Sequence, residues 1–509
     1  YQYEDGTNRI YRLGYSVPKQ GSTSTYRSNF ATALYDTGLN IDRLKYVRLN
    51  GSNRLAFGYD DLGRLTSRSY ASTTGSTVRK TTYTYVAGAN GSTTNLLATV
   101  NNAGFSGLTY TYDDMGNIKT IKEGSKTETY TYDSLGQLTR VDSQKENKSY
   151  TYSYDNRGNI TSKKEYAYTT GTLGTATKTV SYAYGNTGWK DLLTSYNGQS
   201  ITYDTIGNPL SYRGMTLTWQ NGRQLATLTK SGKTTSYEYD INGRRTKKVA
   251  NGVTTEYYYS GEQYTGMHTS DGKDVGAILD ASGGLYGIYY DDSTIGTDVG
   301  QTYYFVYNGQ GDVIGLYNHG GKLIATYAYD AWGRCIEAKA VTADDDGHAV
   351  TDPDHIAFIN PFRYRGYMYD AESGLYYLNS RYYDPETGRF LNADGLLGAN
   401  GDILSYNQFA YCSNTPIMGY DPTGCCMTLW MQGIQGPCPG LDSPLCADNK
   451  IDYTLPNPNK TSWWDTVPTS NFEIPSTNDL ISDFADTTLG ATEHILGKQN
   501  KKVQGYVDD

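Results

Sequence analysis

Residues 109–118 read Thr-Tyr-Thr-Tyr-Asp-Asp-Met-Gly-Asn-Ile. The alternation of Thr and Tyr predicts a β-strand with one aromatic face. Asp113 can accept hydrogen bonds from the backbone that follows it, and Gly116 can adopt the positive φ that a tight turn requires. Ile118 then begins a return strand, so the stretch predicts a β-hairpin.

The same hairpin motif recurs along the chain as Tyr-Asp-x-x-Gly, usually followed by Arg or Asn and an aliphatic residue. Asn221-Gly222 and Asn251-Gly252 are further two-residue hairpin turns between alternating segments. A single hairpin is barely stable alone, so we predict that the hairpins pair edge to edge into a long sheet that curls through strand twist. The other aspartates of the repeat are Asp60, Asp133, Asp155, Asp204, Asp240 and Asp330.

The composition excludes several classes of protein. The chain has 509 residues, a net charge of -9 and 52 tyrosines, and it contains no apolar run long enough to span a membrane. Its acidic balance argues against nucleic-acid binding, and its aromatic content argues against disorder. The tyrosines suggest either a ladder that fixes strand register or a carbohydrate-binding surface, and we favour the ladder. We interpret the repeat aspartates as turn residues rather than calcium ligands.

The start of the chain and the cysteines indicate less about fold and function than the repeats do. The chain begins inside a repeat, which predicts a fragment whose export signal lies elsewhere in a longer protein. Four cysteines lie close together after residue 424, and they predict disulfides or structural thiols. No Cys-x-x-Cys pair is present, so we expect no metal site and no cofactor. These cysteines are Cys425, Cys426, Cys438 and Cys446.

Residues 360–424 resemble a known family. They begin Asn-Pro-Phe-Arg-Tyr-Arg-Gly-Tyr-Met-Tyr-Asp, continue at 381–390 with Arg-Tyr-Tyr-Asp-Pro-Glu-Thr-Gly-Arg-Phe, and close with Tyr-Asp-Pro-Thr-Gly. This stretch is similar to the Rhs repeat-associated core domain, and the repeats resemble the YD repeats of bacterial Rhs proteins and, more distantly, of animal teneurins. The resemblance implies an all-β fold of repeated β-hairpins forming a spiralling β-strip shell.

The resemblance also implies a division of the chain into three parts. Residues 1–355 would form the YD-repeat shell, and residues 356–424 would form the core domain that closes one end. Residues 425–509 would be the variable C-terminal segment, a toxin or a linker of mostly irregular structure. In this segment we predict one helix near residues 478–489.

In many Rhs proteins the core domain is an aspartyl autoprotease, with one aspartate from each of two Asp-Pro-x-Gly motifs. The second motif is present at Asp421, and cleavage would follow Gly424, before Cys425. At the first motif only Asp394 remains, since Pro and Gly are absent. Asp394 and Asp421 are therefore either a catalytic pair sharing a proton or turn residues that close the domain.

Other charged residues lie near these two aspartates in sequence. Asp384 and Asp402 are spare carboxylates, and Arg389 could tune either aspartate. A separate acidic run, residues 344–346 with Asp352 and Asp354, precedes the core domain. It suggests a calcium site or a solvated acidic loop, and we favour the solvated loop.

The C-terminal segment carries no clear active site. It has nine Asp and two Glu against five Lys and no Arg, which argues against binding a nucleic-acid backbone. Cys425 or Cys426 could form a nucleophilic pair with His494 by residue type, but no spacing in the sequence supports such a pair.

Three hypotheses for the function follow. The first is a secreted or surface-displayed bacterial carrier that encloses its own C-terminal segment and delivers it in competition between bacteria, with an immunity protein as a further partner. The second is a wall-associated adhesion protein that binds cell-wall carbohydrate and has no toxin. The third is an enzyme in the C-terminal segment.

Overall fold

Long antiparallel β-sheets dominate the computed structural model. It describes residues 2–3, 10–18, 26–36, 43–49, 52–71, 76–261, 263–279, 284–295, 300–395, 403–425 and 427–429. The predicted helix near residues 478–489 lies outside the described residues, as do Cys426, Cys438, Cys446, His494 and Asp402.

Each strand of the first sheet pairs antiparallel with the next strand in the chain, and the described part of this sheet has 17 strands. They are β1 (Gln2–Tyr3), β2 (Ile10–Pro18), β3 (Tyr26–Asp36), β4 (Arg43–Leu49), β5 (Ser52–Tyr59), β6 (Leu65–Ala71), β7 (Thr77–Ala87), β8 (Thr93–Asn102), β9 (Leu108–Tyr112), β10 (Ile118–Glu123), β11 (Lys126–Tyr132), β12 (Leu138–Ser143), β13 (Lys148–Tyr154), β14 (Ile160–Ala167), β15 (Lys178–Ala183), β16 (Ser195–Tyr196) and β17 (Gln199–Ser200).

The second sheet continues the same meander, with 14 strands among the described residues. They are β18 (Thr202–Tyr203), β19 (Pro209–Tyr212), β20 (Met215–Gln220), β21 (Gln224–Lys230), β22 (Lys233–Tyr239), β23 (Arg245–Ala250), β24 (Val253–Ser260), β25 (Gln263–Thr269), β26 (Lys273–Leu279), β27 (Leu285–Asp292), β28 (Gln301–Tyr307), β29 (Val313–Asn318), β30 (Leu323–Tyr329) and β31 (Cys335–Ala340). The predicted turns at Asn221-Gly222 and Asn251-Gly252 join β20 to β21 and β23 to β24.

The aspartate of the repeat organises its own turn. Asp113 Oδ1 accepts hydrogen bonds from the backbone N–H of Met115 at 2.9 Å and of Asn117 at 2.8 Å. Its Oδ2 accepts from the side-chain amide of Asn117 at 3.1 Å. Gly116 closes the turn with φ +82°. The repeat therefore selects Asp, Gly and a donor side chain because all three are needed within one five-residue turn.

The tyrosine of the repeat fixes the register between neighbouring hairpins. Tyr132 donates its hydroxyl to the carbonyl of Ile118 at 2.8 Å, and Tyr154 donates to the carbonyl of Leu138 at 2.5 Å. A bulge falls at the tyrosine, for example between Thr131 and Tyr132. This geometry agrees with the ladder interpretation of the tyrosines. Each tyrosine belongs to one hairpin, and its hydroxyl bonds to the backbone of another hairpin. The same bond is made by Tyr59, Tyr85, Tyr112, Tyr184, Tyr203, Tyr239, Tyr259, Tyr307 and Tyr329.

Replacement of Asp113 by alanine is expected to lower the free energy of unfolding by about 1–3 kcal/mol, because three donors lose their acceptor. Asp114 is the matched control, since it is exposed in the same turn. Urea unfolding of the two alanine variants measures the difference. Equal unfolding midpoints would contradict the role of the repeat aspartate.

The two sheets contact each other through long-range hydrogen bonds. Tyr70 on β6 donates to the carbonyl of Phe305 on β28 at 2.5 Å. Asn102 on β8 donates to the carbonyl of Tyr307 at 2.9 Å, and the N–H of Gly309 donates to the Tyr110 hydroxyl at 2.8 Å. The first and second sheets thus share two buried apolar clusters, each with side chains from both sheets.

The core domain follows as a smaller sheet with short connecting turns. Its strands are β32 (Met368–Asp370), β33 (Leu375–Tyr377), β34 (Tyr382–Asp384) and β35 (Arg389–Phe390), and a two-stranded pair β36 (Gly419–Tyr420) and β37 (Thr428–Leu429) lies after them. Helical structure is limited to α1 (Ile356–Ile359) and to 3-10 turns at Ala89–Gly91, Ser293–Ile295, Tyr364–Gly366, Ile403–Tyr406 and Cys412–Asn414, counted over the described residues. Within those residues, no helix has the length and hydropathy needed to cross a bilayer. The predicted all-β fold is confirmed.

Candidate functional site

The candidate site lies at the end of the core domain, around Asp421. The Asp421 side chain is buried, and its Oδ1 accepts from the N–H of Gly424 at 2.8 Å and of Thr423 at 3.3 Å. Its own N–H donates to the hydroxyl of Tyr367 at 2.6 Å. Asp421 therefore holds the backbone of residues 423–424 in a fixed turn.

The segment before the candidate cleavage bond is held from its other side by the β33–β34 connection. Ser380 contacts the carbonyl of Thr423 through its N–H at 3.2 Å and its hydroxyl at 2.8 Å. Gly424 is buried with φ +81°, and a methyl group on it would come within 2.6 Å of the carbonyl oxygen of Leu378. Only glycine fits this conformation and this close approach.

Arg381 joins the two predicted aspartates. Its Nη2 lies 2.8 Å from Asp394 Oδ2 and 3.2 Å from Asp421 Oδ2. Its Nε donates to the carbonyl oxygen of Gly424. One guanidinium thus contacts both carboxylates and the carbonyl of the candidate scissile bond, and its positive charge stabilises negative charge on all three oxygens.

The guanidinium is itself held in place. Arg381 Nη1 donates to the carbonyl of Gln408 at 3.0 Å, and the ring of Phe390 lies 3.5 Å from the guanidinium carbon. The N–H of Asp394 also donates to the carbonyl of Gln408 at 2.9 Å, and Arg223, in the turn between β20 and β21, donates to the Asp394 carbonyl at 2.8 Å. The core domain and the strip therefore both contribute to the position of Asp394.

The structure brings Asp394 and Asp421 together, although the Pro and Gly of the first motif are absent. The hypothesis that Arg389 tunes them is wrong. Arg389 donates to Asn159 Oδ1 at 3.2 Å and to the carbonyl of Asp191 at 2.8 Å, both in the first sheet or its loops.

Asp384 is likewise not a spare carboxylate. It pairs with Arg213 at 2.7 Å and accepts from the hydroxyl of Tyr212 at 2.9 Å. Sequence reasoning missed Arg381, which stands in the quoted Arg-Tyr-Tyr-Asp-Pro stretch. Its only sequence signal was a cation placed directly before a buried aromatic strand.

Two of the described cysteines, Cys412 and Cys425, lie near the site. Cys335 and Cys412 are free thiols among the described residues. Cys425 Sγ lies 3.2 Å from the hydroxyl of Thr423. Burial raises the pKa of the Cys412 thiol, and the charge of Asp421 raises it further. A thiol held protonated is a poor nucleophile, so Cys412 acts as a packing residue.

The prediction of a solvated acidic loop at residues 344–346 is wrong. Asp344 and Asp346 are buried, and Asp344 accepts from the N–H of His348 at 2.9 Å and from the N–H of Ile356, the first residue of α1, at 3.0 Å. The His348 ring lies 3.0 Å from Asp344 Oδ2 and 3.5 Å from Asp292 Oδ2. The acidic run is a turn of the repeat type that leads into the core domain.

The carboxyl group of Asp346 makes the stability of the folded chain depend on pH. Burial, together with the negative charge of Asp344, raises the pKa of Asp346 to about 7, and His348 opposes the shift. The folded chain holds this proton more tightly than the unfolded chain, where the pKa is 3.8. Stability should therefore fall as pH rises from about 4 to 7, and remain lower above pH 7.

The Asp346→Asn variant should lose this part of the pH dependence. Relative to the wild type it is expected to gain about 2–4 kcal/mol of unfolding free energy between pH 4 and 8. Urea unfolding across this pH range measures the gain. The control is Asp352→Asn, a partly exposed residue nearby. Parallel pH curves for wild type and Asp346→Asn would contradict the prediction.

A family model described as the teneurin YD-shell matches residues 47–274 and 124–417. The matched ranges include strands β5 to β31 and reach into the core domain as far as Ile417.

Several relatives of the chain are named as nucleases or toxins. The chain is 36% identical over 239 residues to the tRNA nuclease WapA of Bacillus subtilis, covering 46% of this chain and 9% of WapA. It is 37% identical over 237 residues to the tRNA3(Ser)-specific nuclease WapA of Bacillus spizizenii, with the same coverage. Over 89 residues it is 43% identical to the toxin protein Tse5 of Pseudomonas aeruginosa, which is 18% of this chain and 6% of Tse5. The chain thus spans less than a tenth of the length of these relatives.

The crystal structure of TcdB2-TccC3 without its hypervariable C-terminal region has the same fold. The match has a TM-score of 0.58 at 20% sequence identity, and it covers 78% of this chain and 20% of that chain.

Proposed function

The chain belongs to the teneurin YD-shell family, and on this premise we propose that it is a secreted or surface-displayed bacterial carrier of the Rhs type. Residues 1–355 form the shell, residues 356–424 close it, and residues 425–509 are the enclosed effector or the linker to one. The nuclease and toxin names of its relatives and the shared shell fold support a carrier that acts in competition between bacteria. An immunity protein would be its partner in the producing cell.

We further propose that the core domain cuts its own chain after Gly424. The observation that carries this proposal is the position of Arg381, which contacts Asp394, Asp421 and the Gly424 carbonyl together. A structural role for the two aspartates does not require a cation on the carbonyl of the bond to be cut.

The chemistry of the proposed step is hydrolysis of one peptide bond. One carboxylate of the pair takes a proton from a water molecule, whose oxygen then attacks the carbonyl carbon of Gly424. Arg381 stabilises the negative charge that develops on the carbonyl oxygen. The bond to Cys425 breaks, its nitrogen receives a proton from the other carboxylate, and the products are the Gly424 carboxylate and the Cys425 amine.

The intact mass of the purified chain under denaturing conditions tests this proposal. We expect the wild type to give two fragments that meet between Gly424 and Cys425, and the Asp421→Asn and Asp394→Asn variants to give one uncut chain. A matched control is Asp133→Asn, a repeat aspartate far from the site in sequence. An uncut wild-type chain would leave Asp394 and Asp421 with a structural role only.

Enclosure of the C-terminal segment has a separate test. If the shell retains the cut segment, both fragments should elute together on native size-exclusion chromatography and separate only in denaturant. Separate elution under native conditions would contradict a carrier and favour an open surface protein.

A further inference from the structure

Three neighbouring strands of the first sheet place arginines against tyrosines of the second sheet. Arg54 is on β5, Arg68 on β6 and Arg79 on β7. Arg68 is 5% exposed. Its guanidinium carbon lies 5.5 Å from the ring centre of Tyr70 and 5.0 Å from that of Tyr307.

Several donors of this cluster lack acceptors, although Arg79 Nη1 donates to the carbonyl of Val78 at 2.8 Å. Arg68 Nε and Nη2 are buried and make no hydrogen bond, and the same holds for Arg54 Nη1 and Arg79 Nε. No carboxylate in the described part of the chain pairs with any of the three. Arg245 and Arg365 are buried too, but each pairs with an aspartate. A buried cation with neither counter-ion nor acceptor is costly, so such groups are almost always paired.

The tyrosine rings do not replace an acceptor. A ring attracts the charge of a guanidinium through its π-face, while the N–H bonds of the guanidinium lie in its own plane. Nε–H and Nη2–H of Arg68 point in parallel from one edge of that plane. This edge matches two oxygens of a carboxylate or phosphate, which accept both bonds at once.

We propose that Arg68 is the centre of a binding site for a small oxyanion taken up from solution, a carboxylate or a phosphate, held side-on by Nε and Nη2. Arg54 and Arg79 add positive charge on either side. The charge of Arg54 acts on Tyr304 of the second sheet: burial raises the pKa of Tyr304 to about 12, and the charge of Arg54 opposes this rise. Burial raises the pKa of Tyr317 to about 12 as well, and Arg79 opposes it.

The site lies where the two sheets meet. Tyr70, which contacts Arg68, packs against Tyr304 with a ring separation of 5.3 Å and donates to the carbonyl of Phe305. Tyr286 and Tyr307, the other rings around Arg68, also belong to the second sheet. A bound anion therefore stabilises the contact between the beginning and the end of the strip.

Thermal unfolding of the full chain in phosphate, acetate or chloride at constant ionic strength tests the site. We expect phosphate or acetate, but not chloride, to raise the unfolding temperature in a saturable way, by about 2 °C for each tenfold increase above the dissociation constant. Arg68→Met should abolish the rise. Arg157→Met, which removes an exposed arginine from a repeat turn, should retain it.

A second variant, Arg68→Lys, covers the case in which Arg68→Met does not fold. It keeps the charge but loses the paired donors. The anion concentration needed for the same rise in unfolding temperature should therefore increase at least about tenfold. The difference between phosphate and acetate identifies which oxyanion is preferred. Equal shifts in all three salts, or an unchanged effect in the Arg68 variants, would overturn the proposal.

Discussion

Replacement of Arg245 by alanine is expected to lower the free energy of unfolding by about 3–5 kcal/mol, because it leaves a carboxylate buried with part of its partners removed. Arg245 is fully buried and binds Asp370 through two bonds, Nη1 to Oδ2 at 2.5 Å and Nη2 to Oδ1 at 3.1 Å. The rings of Tyr257 and Tyr377 lie 4.7 and 4.4 Å from its guanidinium carbon. This pair joins β23 of the strip to β32 of the core domain.

The neighbouring residue supplies a matched control. Arg244 pairs with Asp240 within its own turn and is partly exposed, so Arg244→Ala should cost at most about 1 kcal/mol. Urea unfolding of both variants, at equal protein concentration, measures the two free energies.

A double variant separates charge from packing. Arg245→Met with Asp370→Leu removes both charges and should recover most of the loss, since Lys248 keeps its bond to Glu372 at 3.0 Å. If Arg245→Ala costs no more than Arg244→Ala, then the pair does not hold the core domain to the strip.

The contact between Arg245 and Asp370 could not be predicted from the sequence. The place of Arg245 in the repeat is aliphatic in other units, as at Ile118, Leu138 and Ile160. The departure is visible in the sequence, but the partner Asp370 lies 125 residues further on. No local pattern connects the two, because the contact depends on how the core domain packs on the strip.

The repeat itself was predictable because its determinants are local. The aspartate, the glycine and the donor of each turn lie within five residues, and the tyrosine bonds to the preceding return strand. The site was only half predictable. The resemblance to the paired Asp-Pro-x-Gly motifs gave Asp394 and Asp421, whereas Arg381 joins them through tertiary packing alone. The acidic run was misjudged because composition does not reveal that Asp344 accepts from the first N–H of α1.

Replacement of Arg381 by glutamine is expected to slow self-cleavage at least about 100-fold, because it removes the cation from the carbonyl of Gly424. Glutamine can still donate hydrogen bonds, so the variant tests charge rather than contact. The measurement is the uncut fraction over time after synthesis, followed by intact mass. Arg157→Gln is the control and should cleave like the wild type.

The Arg381→Gln variant also distinguishes two possible effects of the Arg381 guanidinium on the rate of self-cleavage. If stabilisation of the carbonyl oxygen dominates, Arg381→Gln cleaves slowly and Arg381→Lys recovers part of the rate, since a lysine keeps the charge near the oxygens. If the guanidinium instead hinders the reaction by keeping Asp394 and Asp421 both ionised, the glutamine variant cleaves faster than the wild type. A faster rate would contradict the proposed role of Arg381. Because Arg381 contacts both carboxylates through one nitrogen, loss of cleavage in Arg381→Gln at an unchanged unfolding temperature would assign it to the chemistry rather than to the fold.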